Sequence, residues 1–339
     1  MEKKCGIKFR KISPNGKVTL ETDLHLIKMK IKTEINVNWV QISGSVYLDH
    51  AGSALYSQAQ LADVFGMLTG GCFGNPHSRN PSSRLCSELI EKTRLEVLEF
   101  FNADPNIYSI VFTSGATDSL KLIGENFDFS GDPCQSDAGR HNGAFVYLRE
   151  SHTSVVGMRE YTLNSSISTY SIPADVIEAE LTDRNGEGDV TKAATGNPNS
   201  LFVYPAQCNF SGYKYPLDWI DKTQRGLLKL SDMTGDFCIN GTDTAKCSDT
   251  SDWYCLLDAA SYVSTSKLDL SIHQPDFVAL SFYKIVGYPT GLGALIVHRR
   301  AGHTLKKRYF GGGTVEMFSS ARNVRVDRRL LHERCVCSI

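Results

Sequence analysis

Tyr254-Cys255-Leu256-Leu257-Asp258 is an apolar run that ends on a carboxylate, and Phe277-Val278-Ala279-Leu280-Ser281 is a second, followed closely by the amine of Lys284. Runs that are apolar throughout suit strands covered on both faces rather than strands with one wet face. Working outward, Val46–Asp49, Ser109–Thr113, Ala144–Leu148, Leu201–Tyr204 and Ala294–Val297 read as further strands. Between them, Arg84–Phe101 and Ala116–Asn126 carry amphipathic helical spacing. Strands separated by helical stretches predict an α/β fold with a mostly parallel sheet, because parallel neighbours need long crossover connections. Ligands of such sheets bind beyond the carboxyl ends of the strands.

The 339 residues are 41% hydrophobic and 22% charged, enough for a large core and too apolar for a disordered chain. Lys plus Arg number 36 against 37 Asp plus Glu, so no basic face points to nucleic acid or to an anionic membrane. A small-molecule substrate is the default. The apolar stretch from Ile285 to Val297 is too short for a membrane span and is broken by Pro289, and Met1-Glu2-Lys3-Lys4 does not open a secretory signal. A cytoplasmic protein is expected. Ten cysteines without a Cys-x-x-Cys support neither a zinc ribbon nor a redox pair, so no metal site is expected and most thiols should be free.

Residues 1–43 read as an N-terminal arm, 44–300 as one large domain, and 301–339 as a glycine-rich loop followed by the start of a smaller domain. Ser231 to Asp252, polar and rich in Asp and Thr, reads as a surface insertion. After Gly313 the periodicity fades, and the tail through Cys335 and Cys337 has no evident element to complete a second domain. A truncated or alternative end is expected.

Three stretches carry candidate chemistry. Phe112-Thr113-Ser114-Gly115-Ala116-Thr117 joins a strand to a helix start, where backbone N–H groups and hydroxyls form a ready anion site; an ordinary Ser/Thr helix cap is an equal alternative. Asp258 ends an apolar strand, where a buried carboxylate needs a partner; a turn Asp is the bland reading. Lys284 follows another apolar run, and most such lysines simply reach water. Together, with Asp258 and Lys284 only 26 positions apart, they put an acid, an amine and an anion site at one sheet edge. Pyridoxal phosphate needs that set: a lysine for the Schiff base, an aspartate for the pyridine nitrogen and a helix start for the phosphate.

Further stretches extend the pattern: Val46-Tyr47-Leu48-Asp49-His50-Ala51-Gly52, Phe73-Gly74-Asn75-Pro76-His77-Ser78, Arg149-Glu150-Ser151-His152-Thr153-Ser154, 205–212, 281–293 and Tyr309-Phe310-Gly311-Gly312-Gly313-Thr314. In this order the chain resembles the pyridoxal-phosphate domain of the molybdenum cofactor sulfurases, relatives of the cysteine desulfurases in the class V aminotransferase group. The resemblance covers roughly residues 46–320. It implies the pyridoxal-phosphate-dependent transferase fold type I, a homodimer, and pyridoxal 5'-phosphate as cofactor.

By that resemblance Lys284 would be the Schiff-base lysine and Asp258 the partner of the ring nitrogen. His152 would stack on the ring and relay protons, and Asn209 would bond the ring oxygen. Ala116, Thr117 and Ser281 would hold the phosphate. Tyr283 stands where desulfurases commonly have His, and Ser261 where they commonly have Gln. Thr314 would approach the active site of the other subunit, and Asn75-Pro76-His77 would fix a turn near the substrate entrance. The implied reaction takes sulfur from L-cysteine, leaving alanine and an enzyme persulfide, and passes it to the molybdenum cofactor serving xanthine dehydrogenase and aldehyde oxidase. The persulfide cysteine of the family lies well downstream of the glycine-rich loop; Cys335 and Cys337 do not match it, and for Cys208 a packing role is expected. Another class V lyase, such as a cysteine desulfurase or selenocysteine lyase, and a non-catalytic cofactor-binding or dimerisation remnant are the competing readings.

Overall fold

The computed structural model describes residues 46–130, 143–183, 197–230, 237–240, 251–288 and 291–335. The chain divides into two compact units. The arm at 1–43, Cys337 and most of the expected insertion lie outside the described residues.

The first unit takes in 46–100 and 286–288. Its first helix, α1 (Gln58–Gly70), is capped by Ser57, whose hydroxyl accepts the Gln60 N–H at 3.1 Å. The second, α2 (Pro81–Phe100), begins a turn before the expected Arg84. The cause is legible locally: Asn80 caps the Ser83 N–H at 2.9 Å, and Pro81 takes the first helical position, where its missing N–H costs nothing. The expected strand Val46–Asp49 does not form. Val46 and Leu48 are 83% and 85% exposed, and Tyr47 instead donates to the carbonyls of Asp49 and Ser53, closing a turn with Gly52.

The second unit holds a seven-stranded sheet: β1 (Tyr108–Thr113), β2 (Ala144–Leu148), β3 (Ser168–Ile172), β4 (Asn199–Pro205), β5 (Asp252–Asp258), β6 (Phe277–Ser281) and β7 (Gly293–His298). The spatial order is β1-β7-β6-β5-β4-β2-β3. Every pairing is parallel except those of β7, which runs against both β1 and β6. The α/β class and the mostly parallel sheet are as expected. Every residue of β2, β4 and β6 is buried, the signature of a sheet covered on both faces. Each buried Val, Leu or Phe is worth roughly 1.5–3 kcal/mol, so this core can carry polar groups at its strand ends.

Strand β3 was not expected. It lies at the sheet edge, and Ser168, Thr169 and Ser171 hide its strand character in sequence. The segment 237–240 runs beside it: Ile239 N–H donates to the Thr169 carbonyl at 2.8 Å, and the Asn240 side chain bonds Thr169 and Ile167.

Helix α3 (Ala116–Asn126) matches its expected bounds and packs Leu120 and Ile123 into the core against β6 and β7. The remaining helices are α4 (Thr153–Val156), α5 (Ala174–Asp183), α6 (Trp219–Gln224) and α7 (Phe282–Ile285). The tail corrects the sequence reading. A hairpin of β8 (Val315–Phe318) and β9 (Arg325–Asp327) precedes α8 (Leu331–Cys335), whose Cys335 is buried in the hydrophobic core. These elements span three to five residues each, too few to register as a period.

Topology now fixes where chemistry can gather. Since β1 and β6 are both antiparallel to β7, they run the same way, and β5, β4 and β2 share that direction. With β3 parallel to β2, the carboxyl ends of six strands therefore open onto one edge of the sheet, five of them at a common cavity.

Candidate active site

Five strand ends supply the walls of one cavity of about 310 Å³ at that edge. After β1 come Ser114, Gly115, Ala116 and Thr117; after β2, His152 and Ser154; after β4, Gln207 and Asn209; after β5, Asp258, Ala260 and Ser261; after β6, Ser281, Tyr283 and Lys284. All the site residues expected from sequence are thus brought together except Thr314. That side chain is buried in its own glycine-rich loop, exchanging hydrogen bonds with the N–H and carbonyl of Gly311 at 2.9 Å each.

The helix start of α3 is built by register. Thr113, Gly293 and Ser281 lie side by side across β1, β7 and β6. This row carries the Ser281 hydroxyl to the Ala116 N–H at 2.8 Å. A Cβ on Gly293 would lie 2.5 Å from the Gly115 Cα and from the Leu280 carbonyl, so only glycine lets the loop sit this close. Gly115 has φ 157° and ψ 176°, a region that is essentially glycine's alone, and gives the helix no side-chain cap. Beyond the Ala116 N–H that Ser281 accepts, the N-terminal dipole is consequently open to an outside anion. Asp118 in the first turn is occupied otherwise, accepting the Ser114 N–H at 3.0 Å.

Asp258 is 7% exposed, and among the described residues its carboxylate accepts one hydrogen bond, from the Ala260 N–H to Oδ1 at 3.1 Å. Burial raises its carboxyl above the usual range, while the Ala260 N–H and the charges of His152 and Lys284 pull it back. His152 caps α4, its Nδ1 accepting the Ser154 N–H at 3.1 Å. The Ser154 hydroxyl lies 3.0 Å from the same nitrogen and 2.7 Å from Thr117 Oγ1. A second cavity, about 410 Å³, shares the His152 and Asn209 walls and contains Cys208. Burial pushes the Cys208 thiol up, but bonds from Ser211 and the Phe210 backbone outweigh it and leave the thiol lowered.

The sequence that carries this cavity matches a known family. The class V aminotransferase model fits residues 46–136 and 227–329, more than half of the chain. The chain belongs to the class V aminotransferase family.

Among curated members, the molybdenum cofactor sulfurase of Bos taurus is 42% identical over 296 residues, and that of Homo sapiens 43% over 299. Each alignment covers 87% of this class V chain but only 31% and 30% of the relative, so the chain spans under a third of their length. Solved structures share the fold. A complex of the cystine C–S lyase C-DES with its product cysteine persulfide superposes with TM-score 0.60 at 17% identity, covering 88% of this chain and 68% of that one. A cysteine desulfurase from Thermococcus onnurineus NA1 gives 0.59 at 16%, covering 86% and 62%.

Sequence reading of this class V chain missed Ser154, Gln207 and Lys121 in the cavity wall. The signal for Ser154 was present, two residues after His152 in a helix-cap position. Its link to Thr117, 37 positions away, exists only through the packing of α3 against α4.

Proposed function

We propose that this chain is the cofactor-binding part of a molybdenum cofactor sulfurase, a cysteine desulfurase-type enzyme using pyridoxal phosphate and L-cysteine. The observation that carries the reading is Asp258: a buried carboxyl with one protein donor among the described residues, facing a cavity that also holds Lys284 and the start of α3, to which Gly115 gives no cap.

The residues fit that cofactor. A buried carboxylate short of donors is costly unless a further N–H meets it, and a protonated pyridine nitrogen is such a donor. The open dipole of α3 suits a phosphate dianion, with Ala116, Thr117 and Ser281 as its holders. When bound, pyridoxal phosphate supplies an electron sink for bond changes at the substrate carbon. The chain's own groups do the rest. Lys284 offers Nζ as nucleophile toward the aldehyde and as carrier of a proton. Asp258 keeps the ring nitrogen protonated. His152 and Asn209, both in the cavity wall, would help hold the cofactor, His152 against its ring with Nε2 available to pass a proton and Asn209 as donor to its oxygen. Tyr283 and Ser261 complete the wall.

The sulfur would leave as a persulfide on an enzyme thiolate, with alanine as co-product, and pass to the molybdenum cofactor serving xanthine dehydrogenase and aldehyde oxidase. Burial of Cys335 in the core argues against that residue as the thiolate. We take 44–300 as the large domain and 301–339 as the beginning of the smaller one. A homodimer in the cytoplasm suits this reading. Thr314 would serve the partner's site, and the exposed Phe65, Met67 and Leu68 of α1 offer apolar surface to a second copy. No described helix is long and apolar enough to cross a membrane.

The test is spectroscopic and chemical. Purified chain mixed with pyridoxal phosphate should gain visible absorption that Lys284→Ala abolishes, and the full-length protein should release alanine from L-cysteine. Absorption without alanine in both would favour a binding module; no absorption would contradict the cofactor site.

A further inference from the structure

The roles assigned above leave the Ser154 hydroxyl of the cavity wall unused. The Ser154 backbone N–H points at His152 Nδ1 from 3.1 Å. A backbone N–H can only donate, so Nδ1 is the acceptor and the neutral ring carries its proton on Nε2. Nδ1 has a single lone pair, now engaged. The Ser154 hydroxyl, 3.0 Å from that nitrogen but 2.7 Å from Thr117 Oγ1, therefore has Thr117 as its better acceptor. With Ser154 donating to Thr117 Oγ1, the Thr117 hydrogen is left for an anion at the start of α3. Hydrogen bonds in such a chain polarise one another, so an anion that engages Thr117 strengthens the Ser154 bond and holds the backbone that orients His152.

We propose that Ser154 is a positioning residue that couples the orientation of His152 to occupation of the anion site at the start of α3. The proposal deepens, and rests on, the reading of this cavity as a phosphate-bearing cofactor site. It makes phosphate arrival and ring alignment one event.

The test uses ¹⁵N-histidine-labelled chain, with the His152 resonances assigned through His152→Gln and inorganic phosphate as the probe. Phosphate binding is followed separately by ³¹P titration. In the wild type, phosphate should move the Nδ1 resonance of His152, and Ser154→Thr, which keeps a hydroxyl, should preserve the response. Ser154→Ala should bind phosphate about 2- to 10-fold more weakly, the weight of one hydrogen bond, and lose the response. Thr117→Val should lose it too. An unchanged response in Ser154→Ala, or phosphate binding to the wild type without any response, overturns the coupling and leaves the cofactor reading standing. Failure of the wild type to bind phosphate overturns both.

Discussion

Asp258 and Lys284 face the same cavity from the ends of adjacent parallel strands, and the lysine's charge opposes the burial that raises the Asp258 carboxyl. Burial is the largest influence, so the folded carboxyl stays above its unfolded value. A carboxyl raised in this way costs stability at neutral pH; the cost fades as pH falls through the raised folded value and is gone below the unfolded value of about 3.9. Asp258→Asn should therefore raise the melting temperature of the cofactor-free chain at pH 7, by about 2–4 °C for each ~1 kcal/mol relieved. The gain should shrink toward pH 4 in thermal melts, while pyridoxal phosphate chemistry is lost. A variant less stable at pH 7 would show that Asp258 is a structural anchor instead.

Gly293→Ala tests the register that builds the anion loop. The added methyl meets backbone atoms of Gly115 and Leu280, neither of which can rotate away. Urea denaturation should register a loss of about 1–3 kcal/mol, accompanied by weakened phosphate binding. Wild-type values for both would mean the loop has slack.

Asp276 ties the sheet together beneath the site. Its fully buried carboxylate pairs with Arg300 and also receives Gln224 Nε2 and the Cys255 N–H, each at 2.9 Å. Arg300→Met leaves that charge without its cation, at a cost of about 2 kcal/mol, reduced from the fully buried case because Arg300 is partly exposed. The urea midpoint should drop accordingly without change in cofactor spectrum.

Two buried thiols should differ sharply in reactivity. Burial holds the Cys255 thiol well above its ordinary value, whereas Ser211 and Phe210 lower Cys208 despite burial, at the edge of an open cavity. Iodoacetamide followed by peptide mass spectrometry should label Cys208 at least about tenfold faster than Cys255 near neutral pH. Equal rates would contradict the assignment.

The strands Ala144–Leu148 and Phe277–Ser281 and the helix Ala116–Asn126 were legible to the residue because burial on both faces, or on one helical stripe, leaves a direct mark on composition. Val46 and Leu48 alternate like strand residues, yet none of the described residues pairs with them, and a turn through Asp49 and Gly52 takes the backbone elsewhere. Strand β3 was hidden by hydroxyls that its edge position tolerates. The site divides in the same way. Asp258 and Lys284 could be read as charges ending apolar runs, whereas the Ser154 to Thr117 contact depends on how two helix starts meet and has no sequence period.

The central claim is most directly tested by mapping the amine that holds the cofactor. The chain loaded with pyridoxal phosphate, reduced with borohydride, digested and sequenced by mass spectrometry should carry the pyridoxyl label on Lys284. Label on Lys121 in the same cavity wall, on any other lysine, or on none would contradict the account.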